Sequence, residues 1–559
     1  MKNTKTLCFF IIFIILNSSL FGQDIERIIK SKPFDFSGRV YVGTSFYNAK
    51  NRYSRRAPFS YILSGSPVIT IYGIRFPFRF SFNNNKFDFS KPYNRFSLNP
   101  SYKWIKLHLG HCNMSFSPYS LSGHIFWGAG IDLNPKLFRF SAMYGTLENV
   151  RYQTDTLNIS PELLKQFKRK AYGIKIGVGN SNNYFDISLF KAEDDKNSIS
   201  GNYKIKPASN VIVGISSTTS LFWKLRLSGN IFASFITENT RGQSLDSILD
   251  ISNKFLLKSL DFVGANLSSR ANLAGDIQLS IQLKMFSLGL KYKRIDPLYT
   301  SFGAYYFYND FENYTVNSSL KLLKGKLRLK GSYGLQRNNL SGLRLYSNYR
   351  NIGSANVFIL LNSHFNLNIN YSNYQTSQKD GLLIVNDTLR LAQVNERINI
   401  SPGFSFGNKK LRHSIRLNAS YQKFNYSNNP QIASNNSSIE GLFLSYNLNH
   451  KKSNTKFKIG LNYNKTEYSN INTSRYGITS GINKKFLNKT LNAKLHLSWN
   501  KNITDDISDG NILSVRIRGN YKINKKQSLV LSLTYLNKNT VIQKPYSEFR
   551  GRFSYSLSF

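Results

Sequence analysis

The stretch from 91 to 146 holds the densest group of residues that could do chemistry in this 559-residue chain. Apolar and polar residues alternate along it, so side chains two positions apart should face the same way. This pattern predicts that His108, His124, Asp132 and Arg139 lie on one polar wall patch, on neighbouring strands. A metal site needs three or four converging ligands, and the patch offers only two histidines and one aspartate. We therefore predict a polar network here, without a metal, a cofactor or a catalytic residue.

A hydrolase would instead need a serine held by a histidine, with a third group to orient that histidine. Serine and histidine both occur in this stretch, but serine is frequent throughout the chain. Gly-rich phosphate loops, cysteine clusters and HExxH patterns are absent from the sequence. The sequence therefore predicts that the protein is not an enzyme.

A second candidate set of residues is basic. The chain has 75 Lys and Arg against 29 Asp and Glu, which gives a formal net charge of +46. A wall lined with such residues attracts anions and repels cations. The basic residues that fall on the polar side of alternating stretches are Arg328, Lys330, Arg412, Arg416, Lys456, Lys458, Lys494, Arg516, Arg518, Arg550 and Arg552.

The elements that must position these residues are amphipathic strands. The last stretch, EFRGRFSYSLSF, places an apolar or small residue at every second position from Phe549 to Phe559 and a polar residue between each pair. The same alternation recurs upstream and predicts about 24 strands, within a range of roughly 22 to 26. Tight turns are predicted near 134–136, 324–326, 407–409, 451–453, 488–489 and 524–526. Longer polar loops are predicted near 151–168, 238–271, 376–391, 427–437, 501–510 and 538–546.

A final strand that ends on an aromatic residue resembles the assembly signal of Gram-negative outer-membrane β-barrel proteins. The matching residues are Phe549, Phe553, Tyr555, Leu557 and Phe559. With the alternation upstream, this resemblance covers nearly all of the chain after its start, but it is a resemblance of architecture. It implies an all-β, membrane-spanning, antiparallel up-and-down barrel with short periplasmic turns and longer extracellular loops. The last strand would pair with the first, because a closed barrel leaves no unpaired edge.

The first 22 residues resemble a secretory signal peptide, with Lys2 and Lys5 before a short apolar run and cleavage near Gly22/Gln23. We predict a short periplasmic segment at 23–35 and a transmembrane β-barrel at 36–559, located in the cell outer membrane. No later segment is apolar enough for a membrane helix. Because the chain is predicted to be exported, we expect no nucleic-acid partner despite the charge. The expected partners are outer-membrane lipid and lipopolysaccharide, the barrel-assembly machinery, and other envelope proteins.

Four stretches each have two interpretations. The loops 160–170 and 238–271 have helical character, and they either form ordered surface loops or fold over or into the barrel. The residues 50–67 form either a strand or an inward-folded loop. An aromatic group from Ile295 to Tyr308 contains Pro297, which has no N–H to donate to the hydrogen bonds of a central strand. We interpret this group as an interface girdle, with a stacking platform for a sugar or peptide as the alternative.

The function predicted first is a channel or porin-like barrel with a cationic lumen that passes solutes across the outer membrane. The alternative is a structural, assembly or translocation component of an outer-membrane complex, with an occluded lumen. A further alternative concerns the charge: the basic excess would lie mainly in the turns and at the rims, where Lys and Arg contact lipopolysaccharide phosphates.

Overall fold

The computed structural model describes residues 33–84, 95–150, 166–199, 205–222, 224–245, 254–304, 308–380, 392–427, 436–468, 471–541 and 544–559. The predicted signal peptide, nearly all of 23–35 and most of the loop 160–170 lie outside these ranges. The first strand begins at Phe34, two residues before the predicted barrel start at 36. No helix within the described ranges is long and apolar enough to span a membrane.

The alternating stretches form 26 antiparallel strands of one closed sheet, and three of these strands consist of two segments. In chain order they are β1 (Phe34–Ser37 and Arg39–Lys50), β2 (Phe59–Gly65 and Val68–Ile71), β3 (Ile74–Asn83), β4 (Arg95–Leu98 and Ser101–Tyr102), β5 (Ile105–Asn113), β6 (Ile125–Leu133), β7 (Phe138–Glu148), β8 (Arg169–Gly179), β9 (Tyr184–Asp194), β10 (Ser209–Ser220), β11 (Leu225–Thr237), β12 (Ser269–Gln282), β13 (Phe286–Ile295), β14 (Phe311–Leu322), β15 (Leu327–Asn338), β16 (Tyr346–Leu360), β17 (Phe365–Asp380), β18 (Ala392–Gly407), β19 (Leu411–Ser427), β20 (Ser437–His450), β21 (Thr455–Tyr468), β22 (Ile471–Phe486), β23 (Leu491–Thr504), β24 (Ile507–Lys522), β25 (Gln527–Asn539) and β26 (Tyr546–Ser558). Helix α1 spans Lys254–Val263, and short 3₁₀ turns span Leu323–Gly325 and Leu487–Lys489.

The barrel closes where β26 pairs with β1, from Arg39 opposite Ser558 to Lys50 opposite Ser547. Beyond the strand, Gly38 and Phe559 exchange backbone hydrogen bonds of 3.0 and 3.1 Å. The ring of Phe559 stacks on Phe36 with centroids 4.4 Å apart. The predicted pairing of the last strand with the first is confirmed.

The strand number is 26 rather than about 24, at the upper end of the predicted range. The alternation is least regular near the start of the chain, where prolines interrupt it. In β2 the sequence Ser66-Pro67 separates two short segments, and in β4 the sequence Asn99-Pro100 does the same. A proline has no N–H to donate to the neighbouring strand, so it interrupts the strand. The segments on either side are then too short to show a clear alternation of apolar and polar residues. The open question about 50–67 is also answered, because Phe59–Gly65 is a strand.

The two ends of the barrel differ in their connections. At one end, which we call the turn end, every connection between described strands is short, and the chain finishes there. The six predicted tight turns all lie at this end. At the opposite end, which we call the loop end, connections vary from two residues to more than twenty. The loop predicted at 501–510 is wrong, because β23 and β24 are joined only by Asp505 and Asp506. Both have positive φ, 47° and 63°, as a two-residue hairpin turn requires.

Period two along each strand sorts side chains into two faces, and the register carries each face around the barrel. On one face, apolar side chains are exposed, for example Ile176 at 49% and its cross-strand partner Ile187 at 51%. On the other face, Phe190 and Phe232 are fully buried. A closed sheet can enclose side chains only on its inner side. The exposed apolar face is therefore the outer face, and the other is the lumen face.

The helical segment found in the loop 238–271 lies on the outside of the barrel. Lys191 and Thr237 belong to the outer face by register, near the loop end. The Lys191 ammonium donates a hydrogen bond to the Phe262 carbonyl at 2.8 Å, and the Thr237 hydroxyl donates one to the Gly264 carbonyl at 3.2 Å. Helix α1 therefore covers the outer face of β10 and β11 and does not enter the lumen.

We expect Phe559→Ala to lower the free energy of unfolding by about 1 kcal/mol more than Phe549→Ala in the same strand, because only Phe559 stacks on a ring of the closing strand. Urea unfolding of the barrel in lipid micelles, followed by heat-modifiable gel mobility, measures both variants. Equal losses for the two variants would show that closure does not depend on the Phe36–Phe559 contact.

Candidate functional site

The structure brings two members of the predicted polar patch into direct contact. His108 Nε2 lies 2.8 Å from Asp132 Oδ2, and His108 Nδ1 lies 3.0 Å from Asn99 Oδ1. The Ser141 hydroxyl donates a hydrogen bond of 2.7 Å to Asp132 Oδ1. The serine is thus bonded to the carboxylate and not to the imidazole, so the histidine cannot act as its base. This geometry holds strands β4 to β7 together on the lumen face.

The other two members of the patch have different partners. Arg139 donates two hydrogen bonds to the Asp186 carboxylate, of 2.8 and 3.0 Å. His124 Nε2 lies 3.8 Å from Glu148 Oε1. The four residues therefore do not form one cluster. Among the residues that the structure describes, no group of three or more His, Cys, Asp or Glu could hold a metal ion.

Two connections at the loop end fold back into the lumen, and we call them together the inner pad: residues 114–124, between β5 and β6, and 296–304, after β13. Tyr119, Leu121 and Tyr299 are at most 2% exposed. The two parts bind each other through Tyr299 Oη, which donates to the Tyr119 carbonyl at 2.8 Å. Ser301 Oγ likewise donates to the Ser120 carbonyl at 2.6 Å. The pad is therefore a packed unit and not a pair of independent loops.

Polar bonds also fasten the inner pad to the barrel wall. Tyr119 Oη donates to Asp276 Oδ1 on β12 at 2.7 Å, and Ser234 Oγ on β11 donates to the Thr300 carbonyl at 2.7 Å. Burial, followed by the hydrogen bond to Asp276, raises the pKa of Tyr119 well above that of a free phenol. The phenol therefore stays protonated and remains a donor over the physiological range.

Small residues on the lumen face make room for the inner pad. A Cβ atom at Gly130 would lie 2.2 Å from Met114 Sδ, and one at Gly173 would lie 2.6 Å from the Phe116 ring. Real Cβ atoms do not make contacts this short, so a larger residue at either position would force the Met114 or Phe116 side chain of the pad to move. The wall of β6 and β8 is thus shaped to receive it.

Tyr299 and Phe302, from the aromatic group at 295–308, do not form the interface girdle that the sequence predicted, and residues 305–307 of this group lie outside the described ranges. Tyr299 is fully buried within the pad, and Phe302 packs against the same core, with the Arg169 guanidinium 3.6 Å from the Phe302 ring centroid. A fully buried Tyr299 also offers no open ring for stacking a ligand. One sequence signal for the inner pad was missed. The lumen face of β5 to β14 carries apolar residues, whereas a wall that faces water should carry polar ones. These are Cys112, Phe126, Met143, Phe190, Ile212, Phe232, Ala274, Ile295 and Phe311.

The inner pad covers the lumen face of β5 to β14, which we call the covered side, and three acids there have a cationic partner. Asp186 binds Arg139, Arg169 binds Asp194 at 2.8 Å, and Lys291 lies 3.2 Å from Asp276. The covered side is therefore largely compensated in charge.

The opposite side of the lumen is basic. By register, all of the predicted basic residues from Arg328 to Arg552 share the lumen face, and most of them form two neighbouring rows across the strands. In the first row, Arg412 is followed by Asn449, Lys456, Asn483, Lys494, Arg518, Ser532 and Arg552. In the second, Lys458 is followed by Gly481, His496, Arg516, Thr534 and Arg550. Lys330, Arg328 and Arg416 lie off these rows.

We call the basic members of the two rows, with His496, the basic belt. Their side chains are exposed, apart from the half-buried Arg550. Within the part of the chain that the structure describes, no inward segment covers them. Glu548 shares this face near the loop end, whereas Glu440 and Glu467 fall on the outer face by register. The basic side chains of the belt therefore share one face of the sheet by register.

Amides line much of the remaining wall on the open side. Asn356 Nδ2 donates to Asn368 Oδ1 at 2.7 Å and to Asn370 Oδ1 at 2.6 Å. An open cavity of about 770 Å³ lies here, with Lys330 and Arg397 among its lining residues. A cavity of about 300 Å³ lies at the belt itself, lined by residues that include Lys456, Lys494 and His496. Amide groups can bind a passing solute by hydrogen bonds without adding charge.

No protein-family model matches the sequence, and no curated protein is significantly similar to it. Among solved structures, the chain is similar to the P pilus usher (PapC) translocation pore at 10% identity and a TM-score of 0.37, covering 94% of this chain and 100% of that one. It is also similar to Acinetobacter baumannii OccAB2 at 9% identity and a TM-score of 0.31, covering 67% and 97%. Pseudomonas aeruginosa OpdK, solved with vanillate, matches at 10% identity and a TM-score of 0.31, covering 70% and 98%. The resemblance to outer-membrane β-barrels is one of architecture, without a specific family.

The packing of the inner pad predicts the effect of a single methyl group. A Cβ at Gly303 would lie 2.7 Å from the Ser120 carbonyl oxygen and 2.9 Å from the Phe190 ring. Overpacking of this kind costs about 1–3 kcal/mol, so Gly303→Ala should loosen the pad. We expect the buried thiol of Cys112 to react with a maleimide about tenfold faster in this variant, in a Cys8→Ser background.

The matched control is Gly519→Ala, because no described atom lies within 4 Å of a Cβ built there. The control should label at the wild-type rate. A Cys112 that stays equally protected in both variants would show that the pad does not depend on this contact.

Proposed function

We propose that this protein is an outer-membrane channel that passes anionic solutes along the open side of its lumen. The observation that carries the proposal is the basic belt, in which cations from five strands of the barrel fall on two neighbouring rows. The exposed apolar outer face and the closed ladder are what a strand-built membrane protein needs. The predicted signal peptide supports export, and the predicted orientation places the turn end in the periplasm.

The belt's geometry gives a path rather than a single tight site. Neighbouring strands lie about 4.8 Å apart, and barrel strands tilt by about 35–45° from the axis. A row that runs perpendicular to tilted strands therefore descends along the axis as it runs around the wall. From Arg412 to Arg552 the first row would cover about 20 Å of depth. An anion could move between cations without leaving the wall, as conduction through several weak sites requires.

A second function is supported by the inner pad. The pad fills one side of the lumen, as expected of an occluded barrel that acts as a structural or assembly component of a membrane complex. The two functions differ in a simple respect, because only the channel conducts ions in its native state. No catalytic role is proposed for the Ser141–Asp132–His108 network, since its serine lacks a base.

Charge reversal in the belt tests the channel directly. We expect Arg516→Glu combined with Arg518→Glu to shift the reversal potential under a KCl gradient from anion-favouring towards cation-favouring. The reason is that lumen charge sets the local concentration of each ion. Planar-bilayer recordings of the purified protein measure this shift.

The matched control reverses two lysines near the loop end, outside the lumen face: Lys501→Glu combined with Lys544→Glu. This control should keep the wild-type reversal potential. Identical reversal potentials in the belt variant and the wild type would count against the belt as an ion path.

Removal of the pad separates the two functions. Replacing 115–123 by a short Gly-Ser turn should raise the single-channel conductance, because the covered side of the lumen then opens, while anion preference is retained. If the folded wild type is silent and only this variant conducts, the occluded barrel is the better description. If neither conducts, the channel proposal is wrong.

A further inference from the structure

The short connections at the turn end carry a strong excess of positive charge. We call their lysines the turn collar: Lys103, Lys136, Lys224, Lys284, Lys324, Lys326, Lys409, Lys410, Lys451, Lys452, Lys489, Lys525 and Lys526. None of these turns contains an aspartate or glutamate. The loop end differs, since its connections contain acids such as Asp195, Glu238 and Asp505. The charge of the chain is therefore distributed unequally along the barrel axis.

The same turns expose large apolar side chains beside their lysines. Phe222 is 85% exposed, Leu323 is 69% exposed and Leu487 is 64% exposed. Leu137 at 65% and Met285 at 55% repeat the pattern in two other turns. Water is a poor environment for a ring of such side chains. An apolar side chain next to a lysine suits a membrane interface, where the apolar part enters the acyl region and the ammonium reaches outward.

The backbone of these turns fixes the lysines in place. Lys136, Lys324 and Lys489 have positive φ values of 46°, 55° and 73°, a conformation that non-glycine residues adopt at a cost. In the turn 323–326, Leu323 and Lys324 are both in this region, and the Lys326 amide closes the turn on the Leu323 carbonyl at 3.1 Å. Tight turns of this kind fix the backbone position of each lysine at this end of the barrel.

From these observations we propose that the turn collar is a binding surface for anionic glycerophospholipids. The apolar turn residues lie in the leaflet at its headgroup boundary, and the collar lysines bind the phosphates. A ring of turns around the barrel matches the surrounding lipid, whereas a protein partner would be expected to favour one contiguous patch. The proposal does not depend on conduction by the lumen.

The test uses the purified mature protein, delipidated and then reloaded from mixed micelles of phosphatidylglycerol and phosphatidylcholine. Native mass spectrometry counts each lipid retained. The collar variant carries Lys324→Gln, Lys409→Gln, Lys451→Gln and Lys525→Gln, one in each of four turns. The matched control carries Lys196→Gln, Lys501→Gln, Lys538→Gln and Lys544→Gln, all towards the loop end.

We expect the wild type and the control to retain phosphatidylglycerol in preference to phosphatidylcholine. Each lysine near an anionic surface strengthens binding about fivefold at low salt, so the collar variant should lose roughly tenfold or more of this preference. A variant with arginine at the same four positions should keep it, which separates the effect of charge from that of folding. High salt should weaken the preference, because exposed charges are screened.

Three results would overturn the proposal. The first is a collar variant that keeps the wild-type preference. The second is a control that loses it equally. The third is a wild type that retains lipopolysaccharide or polyglutamate in competition with phosphatidylglycerol, since the collar would then serve the other leaflet or an acidic protein.

Discussion

The structure depends on the hydrogen-bond closure of its sheet. In a layer without water, each backbone N–H and C=O of a strand must bind a neighbouring strand, and an open edge leaves such groups unpaired. The pairing of β1 with β26, extended by Gly38 and Phe559, removes that edge. Closure also fixes the side of every residue, because period-two alternation then places each side chain on either the outer face or the lumen face. The apolar outer face, the basic belt and the covered wall all follow from this assignment.

A second constraint is width. A barrel of this strand number has a lumen too wide for its own wall side chains to fill. The chain fills one side with the inner pad, which needs small wall residues such as Gly130 and Gly173 beneath it. Charge follows the same division: on the covered side Asp186 and Asp276 are paired with cations, and on the open side the belt is not balanced by facing acids among the described residues. The division of the lumen is therefore both steric and electrostatic.

The sequence predicted the parts of this architecture that follow from local alternation. The strands and the tight turns are local features, and the basic residues were assigned to the polar side of each strand one at a time. The closing pair is not local, and it was predicted because a closed barrel leaves no unpaired edge. That Lys494 lies beside Arg518 and that His496 lies beside Arg516 depends on register. Register is set by turn lengths around the whole barrel, which alternation alone does not give.

The inner pad could not be predicted from alternation for a different reason. Its residues, such as Tyr119 and Tyr299, come from connections, where periodicity carries no information. The apolar lumen face of β9 and β11 was the available signal, since Phe190 and Phe232 should not face open water. The prediction of a long loop at 501–510 was wrong because two aspartates can form a hairpin turn as tight as one built from Asn-Gly.

The most direct test of the divided lumen is a cysteine accessibility map of the folded barrel in membranes. Single cysteines replace Lys494 and Arg518 in the belt, Ala192 and Ala274 on the covered wall, and Leu495 and Ile517 on the outer face, in a background without Cys8 and Cys112. Our account predicts that an impermeant, water-soluble thiol reagent modifies only the belt positions. Modification of Ala192 and Ala274 at the same rate as the belt would contradict the covered side, and modification of Leu495 or Ile517 in place of the belt would contradict the assignment of faces.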